Sequence, residues 1–214
     1  RGYVELKESE EWELKPGKFF VTRNDSSVIS FRIPDKKFKG FYLIASRSDS
    51  PSFKIKENPE MEEVSAYVKL NTEKYGGMLC APWFDRPLSV AGRLIVRDGK
   101  GGFVSKLVNV DRDLLMIPSL AIHMNRDANS SAKYNPQTDC IPLFGDASSK
   151  GKFFEVVADA AGVKNEDILS HDLFLYNRVK PTFWGANNEY IASSRLDDQE
   201  CVYATFEGFI TAKE

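Results

Sequence analysis

Histidine is nearly absent: His123 and His171 are the only two in 214 residues, and their separation makes no ligand pair, so histidine alone cannot build a zinc site. Cysteine is also sparse. Cys80, Cys140 and Cys201 lie far apart with no CxxC spacing, which disfavours a disulfide framework or a zinc knuckle and favours a reducing, cytoplasmic compartment. No apolar stretch approaches the roughly 20 residues of a membrane span. The opening RGYVELKESEEW has no apolar signal core. Two Asn-X-Ser sequons, at Asn24 and Asn129, carry little weight without such a signal. The formal net charge of -2 gives no field that would recruit nucleic acid or an anionic membrane. A GxSxG elbow is missing, so nothing favours a Ser-His-Asp triad. Nothing in the sequence places two carboxylates at a shared cleft, as a glycosidase would need. Internal repeats and low-complexity segments are lacking too.

Against these absences stands Phe41–Pro51, FYLIASRSDSP. Five apolar residues, Phe41 to Ala45, run into a polar Arg-Ser-Asp-Ser cluster and a proline. Such a run, bounded by turn formers, predicts a strand buried on both faces of a sheet. In open α/β sheets chemistry collects at the carboxyl ends of such strands, and Arg47, Ser48 and Asp49 occupy that place.

The surrounding chain changes texture twice. FFVTR (19–23) and VISFRI (28–33) flank the turn formers Asn24 to Ser27, a hairpin signal. Beyond Pro51, FKIK (53–56) and VSAYVKL (64–70) alternate apolar with polar residues, as half-exposed antiparallel strands do. LSVAGRLIV (88–96) and FVSKLVNV (103–110) make a second hairpin around Asp98 to Gly102. Short strands are expected at 114–117 and 120–123, a long polar loop at 125–139 and a helix at 153–161. The α/β texture then returns, with strands at 172–176 and 190–193 and a helix from Leu196 to Ala212. The expected organisation is residues 1–51 α/β, 52–168 a β-rich insertion and 169–214 α/β again, an arrangement tolerated because the ends of a loop lie close together.

Each polar cluster has two readings. Arg47-Ser48-Asp49 is either a strand exit with a local ion pair or a ligand position followed by its orienting carboxylate. The second would need a histidine at that first position, since a guanidinium has no lone pair to give a metal. Asp197-Asp198 is either a helix cap or a carboxylate bridging two metals. His123 is expected to be structural and His171 a solvated strand-edge residue. Asp85-Arg86 is expected to hold a tight turn through a charge-assisted hydrogen bond.

Taken in order, the buried strand with RSDSP, then KYGGM and WFDRPLSVAGRLIV, then LVNVDRDLLMIPSLAIHMNR and finally YIASSRLDD resemble the aspartyl-aminopeptidase type of dinuclear zinc aminopeptidase, bacterial branch. The resemblance covers nearly the whole chain. It implies an α/β zinc-peptidase domain, incomplete here, carrying an inserted β-rich dimerisation domain that drives homo-oligomer assembly. It further implies a peptide substrate and two zinc ions. Asp49 matches the carboxylate that orients the first ligand, a catalytic-site role, and Asp197 matches the carboxylate bridging the metals. Arg47 stands where the family has a ligand histidine. The family's catalytic glutamate pair, another metal carboxylate and a final histidine lie beyond the equivalent of Glu214, so the chain is expected to be truncated. Cys80-Ala81-Pro82 replaces a Trp-His-Thr that completes a neighbouring site in some members.

The resemblance implies removal of amino-terminal residues from peptides by a metal-activated water, with this chain inactive alone. The alternative is a non-catalytic assembly module derived from that family. In that reading Arg47 is expected within salt-bridge reach of Asp49 or Asp197.

Overall fold

A computed structural model describes residues 1–63 and 66–212. Helices and strands combine in it, with parallel and antiparallel pairing both present. The chain divides into two compact units, Arg1–Ser50 with Arg195–Glu214, and Pro51–Ser194. Among the described residues no helix is long and apolar enough to cross a membrane.

The first unit is built on strands β1 (Val4–Glu5), β2 (Gly17–Arg23) and β3 (Ser27–Ile33), in that order across the sheet. The expected hairpin forms between β2 and β3, running from Gly17↔Ile33 to Arg23↔Ser27. Asn24 and Asp25 both take positive φ (53° and 52°), the backbone that tight hairpin turns demand and that Asn and Asp tolerate. Helix α2 (Leu196–Thr211) is tied to β3 by Arg32. The Arg32 guanidinium donates to the carbonyls of Phe209 (2.7 Å), Ile210 (3.0 Å) and Ala212 (2.8 Å). A cation there satisfies carbonyls that the helix itself leaves unpaired.

The expected buried strand at Phe41 to Ser46 does not form. The segment has no regular structure, and its side chains are open to solvent, Phe41 at 78% and Leu43 at 92%. An apolar run signals a need for burial without supplying the layers that bury it, and no strand among the described residues flanks this one.

The second unit is an antiparallel six-stranded sheet. Its strands are β4 (Ser52–Glu63), β5 (Tyr67–Tyr75), β6 (Leu88–Arg97), β7 (Phe103–Asn109), β8 (Leu143–Asp146) and β9 (Ile168–Asn177), in the spatial order β7-β6-β9-β4-β5-β8. The expected strand at 64–70 is present from Tyr67; Val64 and Ser65 lie outside the described residues. Alternation fills the core: Phe53 and Ile55 on β4, Leu88, Val90 and Leu94 on β6, and Leu173 and Leu175 on β9 are all buried. Helix α1 (Phe153–Ala161), at the expected position, adds Phe153 and Val157 and ends at Gly162 in the left-handed conformation (φ 62°). Gly92 lets β6 approach β9, because a Cβ there would lie 2.1 Å from the Asp172 carbonyl oxygen. A small hairpin, β10 (Thr182–Trp184) with β11 (Tyr190–Ala192), completes the unit.

Three expectations about this unit change. Its compact body continues to Ser194 rather than stopping at 168, because β9 is a central strand paired with β6 from Leu88↔Asn177 to Val96↔Ile168. Residues 114–117 make only isolated bridges, to Phe84, Leu88 and Leu143, and 120–123 form a turn. Strand β8 has no counterpart in the sequence pattern, its four residues being too short to show a period.

Candidate functional site

The residues singled out at 47–49 and 197–198 come together in the first unit, although 150 residues separate Arg47 from Asp197. They meet where the chain leaves that unit after Ser50 and where it re-enters at Arg195. Arg47 is at the centre. Its Nη2 donates to Asp197 Oδ1, and its Nη1 donates to the Asp49 carbonyl oxygen at 2.7 Å and lies 3.5 Å from Asp49 Oδ1. Its backbone N–H donates to Asp198 Oδ2 at 3.3 Å.

Further hydrogen bonds bind the two segments. Ser50 Oγ donates to the Asp197 carbonyl oxygen at 3.2 Å, and Gln199 Nε2 donates to the Ser48 carbonyl oxygen. Ser48 Oγ donates to the Ser26 carbonyl oxygen at 3.2 Å, anchoring the 47–50 segment to the β2–β3 turn. Asp197 and Asp198 lie in the first turn of α2 with non-helical backbone angles, and the peptide bond between them is cis. A hydrogen bond from the Cys201 thiol, followed by the Arg47 amide, holds the Asp198 carboxyl below its usual range, while Asp198 pushes the Cys201 thiol up.

As a metal centre this cluster lacks donors. The guanidinium lies against both carboxylates with five N–H donors and no lone pair. Among the described residues no group of three or more His, Cys, Asp or Glu is arranged to hold a metal ion. Neither histidine belongs to the first unit. His123 is exposed in a turn. His171, expected to be solvated, is instead buried: its side chain is 3% exposed, its ring lies 5.3 Å from that of Phe154, and neither ring nitrogen has a hydrogen-bond partner among the described residues. The strand edge where it was expected is interior, since β9 is flanked on both sides.

In the second unit Asp85 does hold a turn, though through a different partner from the one expected. Asp85 (φ 55°) accepts the Ser119 backbone N–H at 2.8 Å, and this bond holds its carboxyl below the usual range. A cluster that residue patterns do not reveal surrounds Arg178, which donates to Asp113 (2.6 Å), Asp111 (2.7 Å) and the Tyr176 hydroxyl (3.2 Å). The Asp-Arg-Asp spacing at 111–113 is its only trace in the sequence.

Residues 1–214 match the family described as aminopeptidase I zinc metalloprotease (M18). A probable M18 family aminopeptidase 2 of Clostridium acetobutylicum is 48% identical over 99% of this chain and 51% of its own length. The structure of Chaetomium thermophilum mApe1 superposes with a TM-score of 0.86 at 31% identity, covering 99% of this chain and 52% of that one. An S. cerevisiae mApe1 dodecamer superposes with a TM-score of 0.78 at 25% identity, over 97% of this chain and 48% of that one. The chain spans about half the length of the curated relatives it matches.

Proposed function

This chain belongs to the aminopeptidase I zinc metalloprotease (M18) family, and from that premise we propose that it is the part of an aminopeptidase scaffold that brings Asp49 and Asp197 together. With a histidine in place of Arg47, the complete scaffold would hydrolyse amino-terminal residues from peptides at a dinuclear zinc site in the cytoplasm. The 214-residue chain is hydrolytically silent by itself.

The observation that carries this reading is the meeting of the 47–49 and 197–198 segments in a chain matching the family along its whole length. In the family-like arrangement Asp197 would bridge the metals and Asp49 would orient a ligand. The residue between them does not fit zinc, however. Arg47 cannot ligate, and it engages the two carboxylates that would serve. These residues therefore supply no metal-borne hydrolytic step.

The test joins residues 1–214 to the remaining half of the Clostridium acetobutylicum relative. With Arg47→His, that chimera should release amino acids from a panel of aminoacyl p-nitroanilides in the presence of zinc, and Asp197→Asn should abolish release. The 214-residue chain should match the buffer rate. A zinc-loaded Arg47→His chimera that hydrolyses nothing would refute the reading.

A second reading, an assembly module, is favoured by the edge strand β7. It carries Phe103 at 69% and Leu107 at 71% exposure, beside a backbone edge unpaired among the described residues. A second copy of the chain is the partner proposed for that edge, in keeping with the dodecameric relative. In this reading the second unit, Pro51–Ser194, is the dimerisation domain.

A further inference from the structure

We propose that Arg47 is a built-in countercation: its guanidinium holds Asp49 and Asp197 where the family would place a metal ion, so that residues 47–50 close onto residues 197–199 without metal, and zinc is kept out. This rests on the family reading for the roles of Asp49 and Asp197, and on the geometry for everything else.

Three carboxylates, Asp49, Asp197 and Asp198, converge on one side chain and its own backbone amide. Neighbouring carboxylates repel, and in a metal site a divalent cation offsets that repulsion; the acids here are not arranged to hold one. A guanidinium can do the same. It is planar and permanently charged, and its fork reaches two acceptors at once. Here Nη1 donates to the Asp49 carbonyl oxygen and lies 3.5 Å from its carboxylate, while Nη2 donates to the Asp197 carboxylate. The cation comes from within the chain, so the closure has no dependence on metal supply. Its hydrogen-bonded surroundings make it more than an isolated surface pair: the Ser50 and Gln199 side chains tie the same two segments through the carbonyls of Asp197 and Ser48, and Ser48 anchors the first of them to the β2–β3 turn. The side chains are exposed, Arg47 at 44%, Asp49 at 48% and Asp197 at 86%. The ion pairs therefore act through the shared geometry of the network rather than through the strength of any one contact.

The location gives this closure a consequence for the fold. Ser50 and Arg195 are the last and first residues of the first unit on either side of the inserted 51–194 segment. Arg47 thus ties together the two stretches of the first unit that flank the 51–194 segment in the sequence, and it does so without metal. Arg47 is accordingly a positioning residue.

The experiment uses the 214-residue chain, with zinc chloride and a chelator as probes. After dialysis against micromolar zinc the native protein should retain well under one equivalent, and neither zinc nor chelator should move its melting temperature. Arg47→Gln should melt roughly 2–4 °C lower at low salt, with the gap narrowing at high salt. Combining it with Asp197→Asn should cost less than the sum of the two single changes, because each removes the same pair. If Arg47→Gln does not fold, Arg47→Lys takes its place in the cycle; it keeps the charge but loses the fork, and should melt between the native and the uncharged protein. Retention of one equivalent of zinc by the native chain, lost in Asp197→Asn, would overturn the proposal, and so would strict additivity in the cycle. Neither result depends on hydrolysis, so failure here is separable from failure of the aminopeptidase reading.

Discussion

His171 shows how burial writes a pH dependence into a single side chain. Its ring is enclosed in the second unit, and burial pushes its pKa below the ordinary 6.5. The charged groups facing it are the Glu57 carboxylate at 3.9 Å and Asp172, which favour the imidazolium, and Lys54, which opposes it. The depressed value means that the unfolded chain binds the proton more readily. The stabilising contribution is therefore complete above pH 6.5 and is lost as pH falls below it. The melting temperature of the native protein should decline between about pH 6.5 and 5 by more than that of His171→Phe. Parallel curves for the two proteins would contradict the assignment. Such burial is not legible in the sequence, because a histidine beside an aspartate on a strand has the same pattern whether the strand is central or at an edge. The inability of Arg47 to ligate is legible, since it follows from the guanidinium alone. The pairing of Arg47 with Asp197 across 150 positions follows from chemistry only once a family resemblance has placed both at one site.

Among the elements, helix α2 depends on a residue outside itself. It buries none of its own side chains, and its last carbonyls are met by Arg32 from β3. Arg32→Ala should cost the first unit about 1 kcal/mol and fray the last turn of α2, seen as faster amide exchange near Phe209 to Thr211. Unchanged exchange there would show that the helix end is held otherwise. Both hairpins are legible because their turn residues carry the signal: Asn24-Asp25 adopt the positive φ such turns require, and the Asp98 carboxylate accepts the amides of Lys100 and Gly102. Helix α1 is legible through its length and its glycine stop. The Phe41 run misleads because hydrophobicity reports what a segment needs, not whether neighbouring layers meet the need. Strand β9 is recognisable as a strand but not as part of the second unit, since Leu173 and Leu175 alternate identically in either sheet.

At the scale of the molecule, the two units differ in how they are held. The second has a continuous core reaching from Phe53 to Leu175, whereas Val21 is the one buried apolar side chain of the first among the described residues. Exposed apolar surface follows the same division, with Phe41 to Ile44 in one unit and Phe103 and Leu107 along edge strand β7 in the other. If β7 pairs with a second copy, Leu107→Lys should shift the mass measured by light scattering toward the monomer without lowering the melting temperature. An unchanged mass would remove β7 from the interface. The broad order of textures is legible in the sequence, but the point of return to the first unit is not, because no composition change marks Ser194. In the proposed reading, position 47 decides whether the site is open to metal or closed by the chain's own cation. The most direct measurement compares initial rates of amino-terminal hydrolysis, in excess zinc, for two chimeras with the Clostridium acetobutylicum half. One retains Arg47, and the other differs from it only by Arg47→His. Hydrolysis by the histidine form alone is the result expected. Equal rates in the two would contradict the claim that Arg47 has taken the metal's place.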